Sequence, residues 1–217
     1  MGIDEQKRAA AEAAAALVTD GSTLGLGTGS TVAHFVPAVA ARALRLRCVA
    51  TSLATESQAA SLGLSLEPFE TLDHLDLAVD GADQVAADLW LVKGGGGAHT
   101  REKIVAAAAA GFVVIVSSDK LVDRLGPPVP LELLRFGLPA TLRRLSRLGP
   151  VRLRDAGPTP DGGVLADYLG EVGDPPALAA ELSSVPGVVD HGLFPADLVS
   201  SVLVGREDGS VQRLGRD

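Results

Sequence analysis

Residues 23–31 read Thr-Leu-Gly-Leu-Gly-Thr-Gly-Ser-Thr, a short apolar run followed by a turn rich in glycine and hydroxyl residues. Its apolar half predicts a short strand over 23–26, and a helical pattern follows the glycine-rich half to about Leu44. The start of such a helix carries partial positive charge and attracts an anion. Glycines such as Gly29 let the backbone approach closely, and three hydroxyls add donors, those of Thr28, Ser30 and Thr31. The stretch predicts a site for a small anion such as a sugar phosphate.

Two better-known phosphate-binding loops do not fit this stretch. A dinucleotide-binding fingerprint needs Gly or Ala where Ser30 stands, and it needs an acidic residue about 20 residues further on. Residues 49–52 contain no such acid. A P-loop ends in Gly-Lys-Ser/Thr, whereas Ser30 directly follows Gly29. A capped tight turn without a ligand remains the alternative interpretation of these residues taken alone.

Strands and helices alternate through the first part of the chain. Further strands are predicted over 46–51, 75–79, 89–92 and 112–116, and helices over 4–18, 54–62 and 100–110. The strands are nearly continuous apolar runs, which is typical of a parallel sheet covered on both faces. We therefore predict an α/β fold with a Rossmann-like, mostly parallel sheet.

A second pattern begins after Gly126-Pro127-Pro128. Strands are predicted over 129–134, 151–153, 164–169 and 188–193, and helices over 139–148 and 175–184. The order β-α-β-β-α-β is the split ferredoxin-like arrangement. A closing hairpin is predicted from 198–204 and 210–214 around Asp208-Gly209. We predict an α/β catalytic domain of residues 1–126 plus 198–217, and a smaller ferredoxin-like α+β lid domain of residues 127–197.

The composition argues against several classes of protein. The 217 residues carry a formal charge of -8, whereas nucleic-acid phosphates need a basic face. The longest apolar run, 104–116, is too short for a membrane-spanning helix. The acidic start gives no sign of a signal peptide, and the only cysteine, Cys48, is expected to be a small core residue. We expect a cytoplasmic protein that binds neither nucleic acid nor membranes.

Two further loops follow apolar strands and carry charged residues. The first contains Asp80 and Asp83, and the second runs from Lys93 through the four glycines 94–97 to Glu102. Loops at the carboxyl ends of parallel strands converge on one crevice. Consecutive glycines suit a backbone that passes close to a ligand or forms an anion-binding nest. Each acid alone is typical of a solvated turn or a helix start, but together these groups predict an active site.

The same groups match the chemical needs of sugar isomerisation. A base must take a proton from one carbon and return it to the next, and the enediolate between these steps must be stabilised. A carboxylate in a partly desolvated pocket suits the base, because burial makes a carboxylate more basic. Lys93 and the N–H groups of the loop suit the enediolate oxygens. A second carboxylate can move protons between the sugar oxygens.

These motifs resemble type A ribose-5-phosphate isomerase. The resemblance rests on residues 25–31, 79–83 and 93–103, with a weaker element at 185–194, and their order spans nearly the whole chain. It implies the interconversion of ribose 5-phosphate and ribulose 5-phosphate in the non-oxidative branch of the pentose phosphate pathway. It also implies that no cofactor or metal is used, and that the chain forms a homodimer or a larger homo-oligomer.

The resemblance also implies roles for single residues. Glu102 corresponds to the general base, and Asp80, Asp83 and Lys93 correspond to residues that assist ring opening and hold the enediolate. The substrate-binding positions, most of them near the phosphate, are Lys7, Thr28, Gly29, Ser30, Thr31, Gly95, Gly96 and Lys120.

Three positions depart from the pattern of the resembled family. Gln84 stands where a glutamate usually follows the second Asp, His99 replaces a commonly apolar residue, and Arg135 lies where a proline is usual. We expect these departures to tune rate or packing. Gln84 also removes one carboxylate from the acidic turn.

Two other functions compete with an isomerase. Fold alone does not fix function, so a non-catalytic sugar-phosphate sensor with the same fold is possible. Such a sensor needs the anion loop but not Glu102 together with Lys93. An amino-sugar phosphate deaminase of similar architecture would release ammonia. Binding without turnover, or ammonia release, distinguishes these two from the isomerase.

Overall fold

Helices and strands alternate along the structure, a computed structural model that describes residues 1–215. The helices are α1 (Ile3–Leu17), α2 (Val32–Ala40), α3 (Leu53–Ser61), α4 (His99–Ala108), α5 (Leu138–Leu145) and α6 (Pro175–Ser183). The strands are β1 (Thr23–Leu26), β2 (Arg47–Ala50), β3 (Leu75–Asp80), β4 (Gln84–Ala86), β5 (Leu91–Val92), β6 (Ala109–Ser117), β7 (Leu121–Val122), β8 (Val129–Leu133), β9 (Val151–Leu153), β10 (Val164–Tyr168), β11 (Val188–His191), β12 (Leu193–Phe194), β13 (Ser201–Gly205) and β14 (Val211–Gly215). Short 3-10 helices cover Phe69–Thr71, Ser118–Lys120 and Ala196–Leu198.

The chain divides into two compact units. The first unit contains residues 1–82, 101–121 and the chain from 197 onward, and the second contains 83–100 and 122–196. The predicted catalytic domain included residues 83–100. Here this segment belongs to the second unit, where its strand β5 pairs with β12. The predicted domain limits themselves stay a prediction.

The first unit is built on a six-stranded sheet in the order β14-β13-β6-β3-β1-β2. The five strands from β13 to β2 run parallel, and β14 pairs antiparallel with β13. The interior residues of β1, β3 and β6 are buried in near-continuous runs. The prediction of a mostly parallel sheet is confirmed, and so is the closing hairpin formed by β13 and β14.

Small residues let helix α1 lie close against the first unit's core. Ala10, Ala11 and Ala14 are fully buried, together with large apolar side chains of the sheet and of α2. The backbones of α1 and β13 come close together at Gly205. A side chain there would not fit, since its Cβ would lie 2.0 Å from the carbonyl oxygen of Gln6. The Ala-rich composition of α1 is therefore a packing requirement as well as a helix-forming one.

The second unit contains an antiparallel sheet in the order β11-β8-β10-β9. With α5 and α6 it gives the β-α-β-β-α-β order predicted for a ferredoxin-like arrangement, which is confirmed. The core of this unit joins alternate residues of β8 and β10 to the two helices. Its fully or almost fully buried members include Val129, Leu131, Leu133, Leu145, Ala166, Tyr168 and Leu182.

A third sheet corrects one prediction. The strand predicted over 89–92 was assigned to the parallel sheet, but β5 belongs to a separate sheet in the order β12-β5-β4-β7. Strand β4 turns back onto β5 as an antiparallel hairpin. Leu89 starts that return with a φ of 68°, a left-handed conformation that no parallel-strand interior would contain. The turn could not be predicted, because a short apolar run such as 89–92 is equally compatible with a strand of either sheet.

Burial makes the thiol of Cys48 unreactive. Cys48 is fully buried in β2, and desolvation raises the pKa of its thiol to about 11. The thiolate is the reactive form of cysteine. We expect the folded protein to react very slowly with Ellman's reagent at pH 8, whereas the chain unfolded in urea reacts at the rate of a free thiol. Equal rates in the two states would contradict the burial described here.

Candidate active site

The carboxylate of Asp80 holds the glycine-rich turn that follows β1. Its Oδ1 accepts hydrogen bonds from the backbone N–H groups of Thr28 and Gly81, at 3.0 and 2.7 Å. Asp80 is only 3% exposed. A Cβ at Gly27 would lie 2.0 Å from the Asp80 carboxyl carbon, so a glycine is required there. The first glycine of the turn therefore makes room for a carboxylate of the neighbouring strand.

Gly29 and Ser30 of the turn are exposed just before α2, whereas Thr31 is buried. Gly29 has a φ of 112°, which favours glycine, and Ser30 is exposed. Helix α2 begins at Val32, and Thr31 precedes it without capping the helix through its side chain. The ammonium of Lys7 donates to the Ser30 hydroxyl at 3.0 Å. A helix start and an ammonium group together provide the positive potential that an anion needs.

Helix α1 also anchors the 3-10 helix that carries Lys120. The buried side-chain oxygen of Gln6 accepts from the backbone N–H of Ser118 at 3.0 Å and from its hydroxyl at 2.8 Å. Lys120 lies 3.6 Å from the carboxylate of Asp119. Partial burial raises the pKa of Asp119, but the hydrogen bond from Ser117 and the charge of Lys120 outweigh it, so that the pKa is lowered overall. Gln6 was not among the predicted residues, because no motif surrounds it.

Helix α4 brings Glu102 to the same edge of the parallel sheet. Its C-terminal end leads directly into β6, where Ala109 pairs with Leu75 at the start of β3. In the middle of α4, Val105 packs so closely on β1 that a Cβ at Gly25 would lie 2.5 Å from its side chain. The helix thus runs opposite to the strands, and its first turn lies at their carboxyl edge. Glu102 belongs to that turn and is 5% exposed.

In the second unit, Lys93 is buried and held at both its backbone and its side chain. It is 2% exposed, its N–H donates to the carbonyl of Gly192 at 2.8 Å, and its ammonium lies 5.4 Å from the ring centroid of Phe194. A Cβ at Gly192 would lie 2.2 Å from the Lys93 carbonyl oxygen. Two residues of the weaker motif at 185–194, Gly192 and Phe194, therefore hold Lys93 in place.

Three glycines of the loop 94–97 are required by their neighbours. A Cβ at Gly94, where φ is 99°, would lie 2.7 Å from the ring of His99. A Cβ at Gly95 would lie 2.8 Å from the carboxylate of Asp83, and a Cβ at Gly97 would lie 2.5 Å from Leu165. The N–H of Gly95 donates to Asp83 Oδ2 at 2.7 Å. The loop is thus a fixed structure that binds a carboxylate, and not a linker.

The three departures noted in the sequence have different surroundings. Gln84 pairs with the backbone of Gly126, donating from Nε2 to its carbonyl at 2.9 Å and accepting from its N–H at 2.8 Å. His99 is fully buried beside Gly94, and Arg135 is exposed in the turn before α5. An amide can both donate and accept in this way, whereas an ionised carboxylate can only accept, which explains the glutamine.

The predicted residues fall into two sets. At the carboxyl edge of the parallel sheet, the first unit brings together Lys7, Thr28, Gly29, Ser30, Thr31, Asp80, Glu102 and Lys120. The second unit holds Asp83, Lys93, Gly95 and Gly96 in or beside its glycine loop. Within residues 1–215, no cluster of three or more His, Cys, Asp or Glu residues could hold a metal ion. The same residues include no helix long and apolar enough to cross a membrane.

The chain is similar in sequence and in structure to proteins named ribose-5-phosphate isomerase A. The profile described as Ribose 5-phosphate isomerase A (phosphoriboisomerase A) matches residues 47–209. A relative named ribose-5-phosphate isomerase A from Caulobacter vibrioides is 47% identical, over 98% of this chain and 99% of its own. A crystal structure of ribose 5 phosphate isomerase A from Neisseria gonorrhoeae is 32% identical with a TM-score of 0.94, over 99% of this chain and 97% of that one. A structure of D-ribose-5-phosphate isomerase in complex with phospho-erythronic acid is 35% identical with a TM-score of 0.93 and covers both chains fully.

The Gln84 pairing predicts the effect of restoring the usual glutamate. We expect Gln84→Glu to lower the free energy of unfolding near pH 7 by about 1–3 kcal/mol, because a carboxylate cannot donate to the Gly126 carbonyl. The measurement is urea denaturation of the variant and the parent chain at several pH values. A protonated carboxyl can donate again, so the difference should shrink below about pH 4. A variant as stable as the parent at pH 7 would show that this pairing contributes nothing.

Proposed function

Because the chain belongs to the ribose-5-phosphate isomerase A family, we propose that it interconverts D-ribose 5-phosphate and D-ribulose 5-phosphate. The observation that carries this proposal is the position of Glu102. It lies buried in the first turn of α4, at the same sheet edge as the anion-attracting turn at Thr28–Thr31. A sugar-phosphate sensor needs the turn but gains nothing from a buried carboxylate at that edge. One relative forms a complex with a phosphorylated sugar acid, which supports a sugar phosphate as the ligand.

Glu102 is the proton carrier of the proposed reaction. With the aldose as substrate, its carboxylate takes the proton from C2, and the electrons of that bond form the C1–C2 double bond of the enediolate. The same group then returns the proton to C1, and the proton of the C2 hydroxyl passes to O1 by way of a second carboxylate, so that C2 becomes the ketone carbon and C1 carries the hydroxyl. One carboxylate can perform both steps because the two carbons are adjacent, and no redox cofactor is needed since the substrate is oxidised at C2 and reduced at C1.

The first unit supplies the grip on the phosphate. The substrate's charged end binds at Thr28, Gly29, Ser30 and Thr31, next to the start of α2, with Lys7 and Lys120 as counter-charges. The bond from Lys7 to Ser30 is consistent with this role, since it holds an ammonium against the turn before any ligand binds. Binding energy from a remote, non-reacting phosphate helps to orient the carbons that react.

Three charged residues complete the proposed chemistry. Lys93 and the N–H group of Gly96 stabilise the charge that develops on the enediolate oxygens, while the N–H of Gly95 holds the Asp83 carboxylate. Asp80 and Asp83 move protons during ring opening. Asp80 also holds the Thr28 turn through its two N–H bonds, so its loss should weaken substrate binding as well as turnover.

The wider setting follows from the same family. We expect a cytoplasmic enzyme of the non-oxidative pentose phosphate pathway that works as a homodimer or a larger homo-oligomer. Its partner is the sugar phosphate, and the formal charge of -8 disfavours nucleic acid. Light scattering of the purified chain measures the oligomeric state directly.

Removing the proposed base should abolish most turnover without unfolding the protein. We expect Glu102→Gln to lower kcat by about 100-fold or more, which is the typical effect of losing a general base. Glu12→Gln is a matched control, because Glu12 is exposed on α1. Ribulose 5-phosphate formation is measured for both variants, and circular dichroism checks the fold. Near-parental turnover in Glu102→Gln would assign the proton transfer to another group.

Activity should not depend on a metal ion. We expect the protein to convert ribose 5-phosphate at an unchanged rate after dialysis against EDTA, because the proposed steps use only side chains of this chain. The assay is repeated after adding back divalent cations. Activity that disappears with the chelator and returns with a metal would contradict the proposed mechanism, and release of ammonia from amino-sugar phosphates would indicate a deaminase instead.

A further inference from the structure

One arginine in the second unit connects the ferredoxin-like sheet to the glycine loop. Arg154 follows β9, and its Nη1 donates to the carbonyl oxygens of Gly94 at 3.0 Å and Gly95 at 3.1 Å. On its other side, Nε and Nη2 donate to Asp167 Oδ1 at 3.1 and 2.7 Å. Asp167 belongs to β10 and is 6% exposed, so the guanidinium is held against a buried carboxylate. No motif in the sequence singles out either residue.

The peptide group between Gly94 and Gly95 is bound at both of its ends. Its carbonyl accepts from Arg154, and its N–H donates to the Asp83 carboxylate at 2.7 Å. A peptide group is planar, so fixing the direction of the carbonyl also fixes the direction of the N–H. A cation on the oxygen also polarises the group and strengthens the bond that the N–H makes. Arg154 therefore acts on Asp83 through a single peptide group.

We propose that Arg154 is a positioning residue for the reaction, which aligns Asp83 by fixing the Gly94–Gly95 peptide. This inference rests on the proposed function, because that function gives Asp83 its part in the chemistry. Glycine peptides rotate easily, and a loop of four glycines needs an external anchor to keep its N–H groups in one direction. The anchor must itself be held in place, and the Asp167 carboxylate of β10 holds the Arg154 guanidinium against the antiparallel sheet.

The geometry explains why the anchor is an arginine. The guanidinium presents several donors in a rigid fork, so that one side chain can bind two carbonyls and a carboxylate together. A lysine carries the same charge on a single nitrogen and cannot reach this arrangement. Arg154→Lys should therefore behave much more like the loss of the side chain than like the parent, despite its charge.

The chain offers a matched control for this test. Arg152 also lies near Asp167, at 3.9 Å, but its side chain is 69% exposed and makes a much longer contact. We expect Arg154→Met to lower kcat by roughly 10- to 100-fold, as for a reacting group displaced by about 1 Å, with a smaller change in KM. We expect Arg152→Met to leave both constants close to the parent values.

A double-mutant cycle separates positioning from general support of the fold. In Asp83→Ala there is no carboxylate to align, so adding Arg154→Met should lower kcat by a much smaller factor than it does in the parent chain. An equal fold-loss in both backgrounds, or a kcat for Arg154→Met matching that of Arg152→Met, would overturn the proposal. If Arg154→Met does not fold, Arg154→Lys takes its place in the same cycle, with the same outcomes deciding.

A second readout does not depend on activity. Hydrogen exchange of a peptide covering 94–98 should be faster in Arg154→Met than in the parent and in Arg152→Met, because the Gly95 N–H loses its fixed direction. Unchanged exchange would overturn the positioning role. If the parent chain itself shows no isomerase activity, the proposed function fails, and the exchange experiment still decides whether Arg154 fixes the loop.

Discussion

The carboxylate of Asp80 fixes the turns at the ends of two adjacent parallel strands, and the arrangement of the first unit's sheet edge depends on it. Thr28 and Gly81 belong to different turns, yet their N–H groups converge on one oxygen. This requires the β1 backbone to pass very close to β3, which only a glycine at position 27 permits. The turn is therefore organised before an anion binds, and preorganised donors need no rearrangement during a reaction.

The same principle recurs elsewhere with different chemistry. In the second unit, a carboxylate again accepts from a loop N–H, but here an arginine holds the far end of the same peptide. In helix α1, the side chain of Gln6 holds Ser118 while the next residue, Lys7, reaches Ser30. In all three cases a loop is fixed by a side chain from a regular element or a neighbouring strand. Rigid elements thus provide the accuracy that loops alone lack.

Local patterns predicted the regular elements well. Strands β1 and β9 agree with the predicted 23–26 and 151–153 residue for residue, because a short apolar or alternating run between turn residues has few other interpretations. The carboxyl-edge rule also placed Thr28 and Asp80 together, and the two are hydrogen-bonded. It worked for this pair because β1 and β3 are neighbouring strands of one parallel sheet, whereas the loop that leads to Glu102 follows β5 of another sheet.

Contacts distant in sequence were not predictable in the same way. Strand β5 has two residues, and its partner β12 lies about a hundred positions away, so no local period reveals the pairing. Arg154 binds backbone carbonyl groups, which every residue carries. The sequence therefore shows the contact neither at Arg154 nor at its glycine partners. The glutamine at position 84 looked like a lost carboxylate, and only its partner Gly126 shows that an amide is needed.

The scarcity of lysine has a practical consequence: the sequence has four, at 7, 93, 103 and 120, and three of them belong to the proposed site. Lys93 is 2% exposed, so dyes or supports that couple through primary amines would attach at the amino terminus and at the other three lysines, two of which are proposed to bind the phosphate. Immobilisation through an engineered surface thiol would leave Lys7 and Lys120 unmodified.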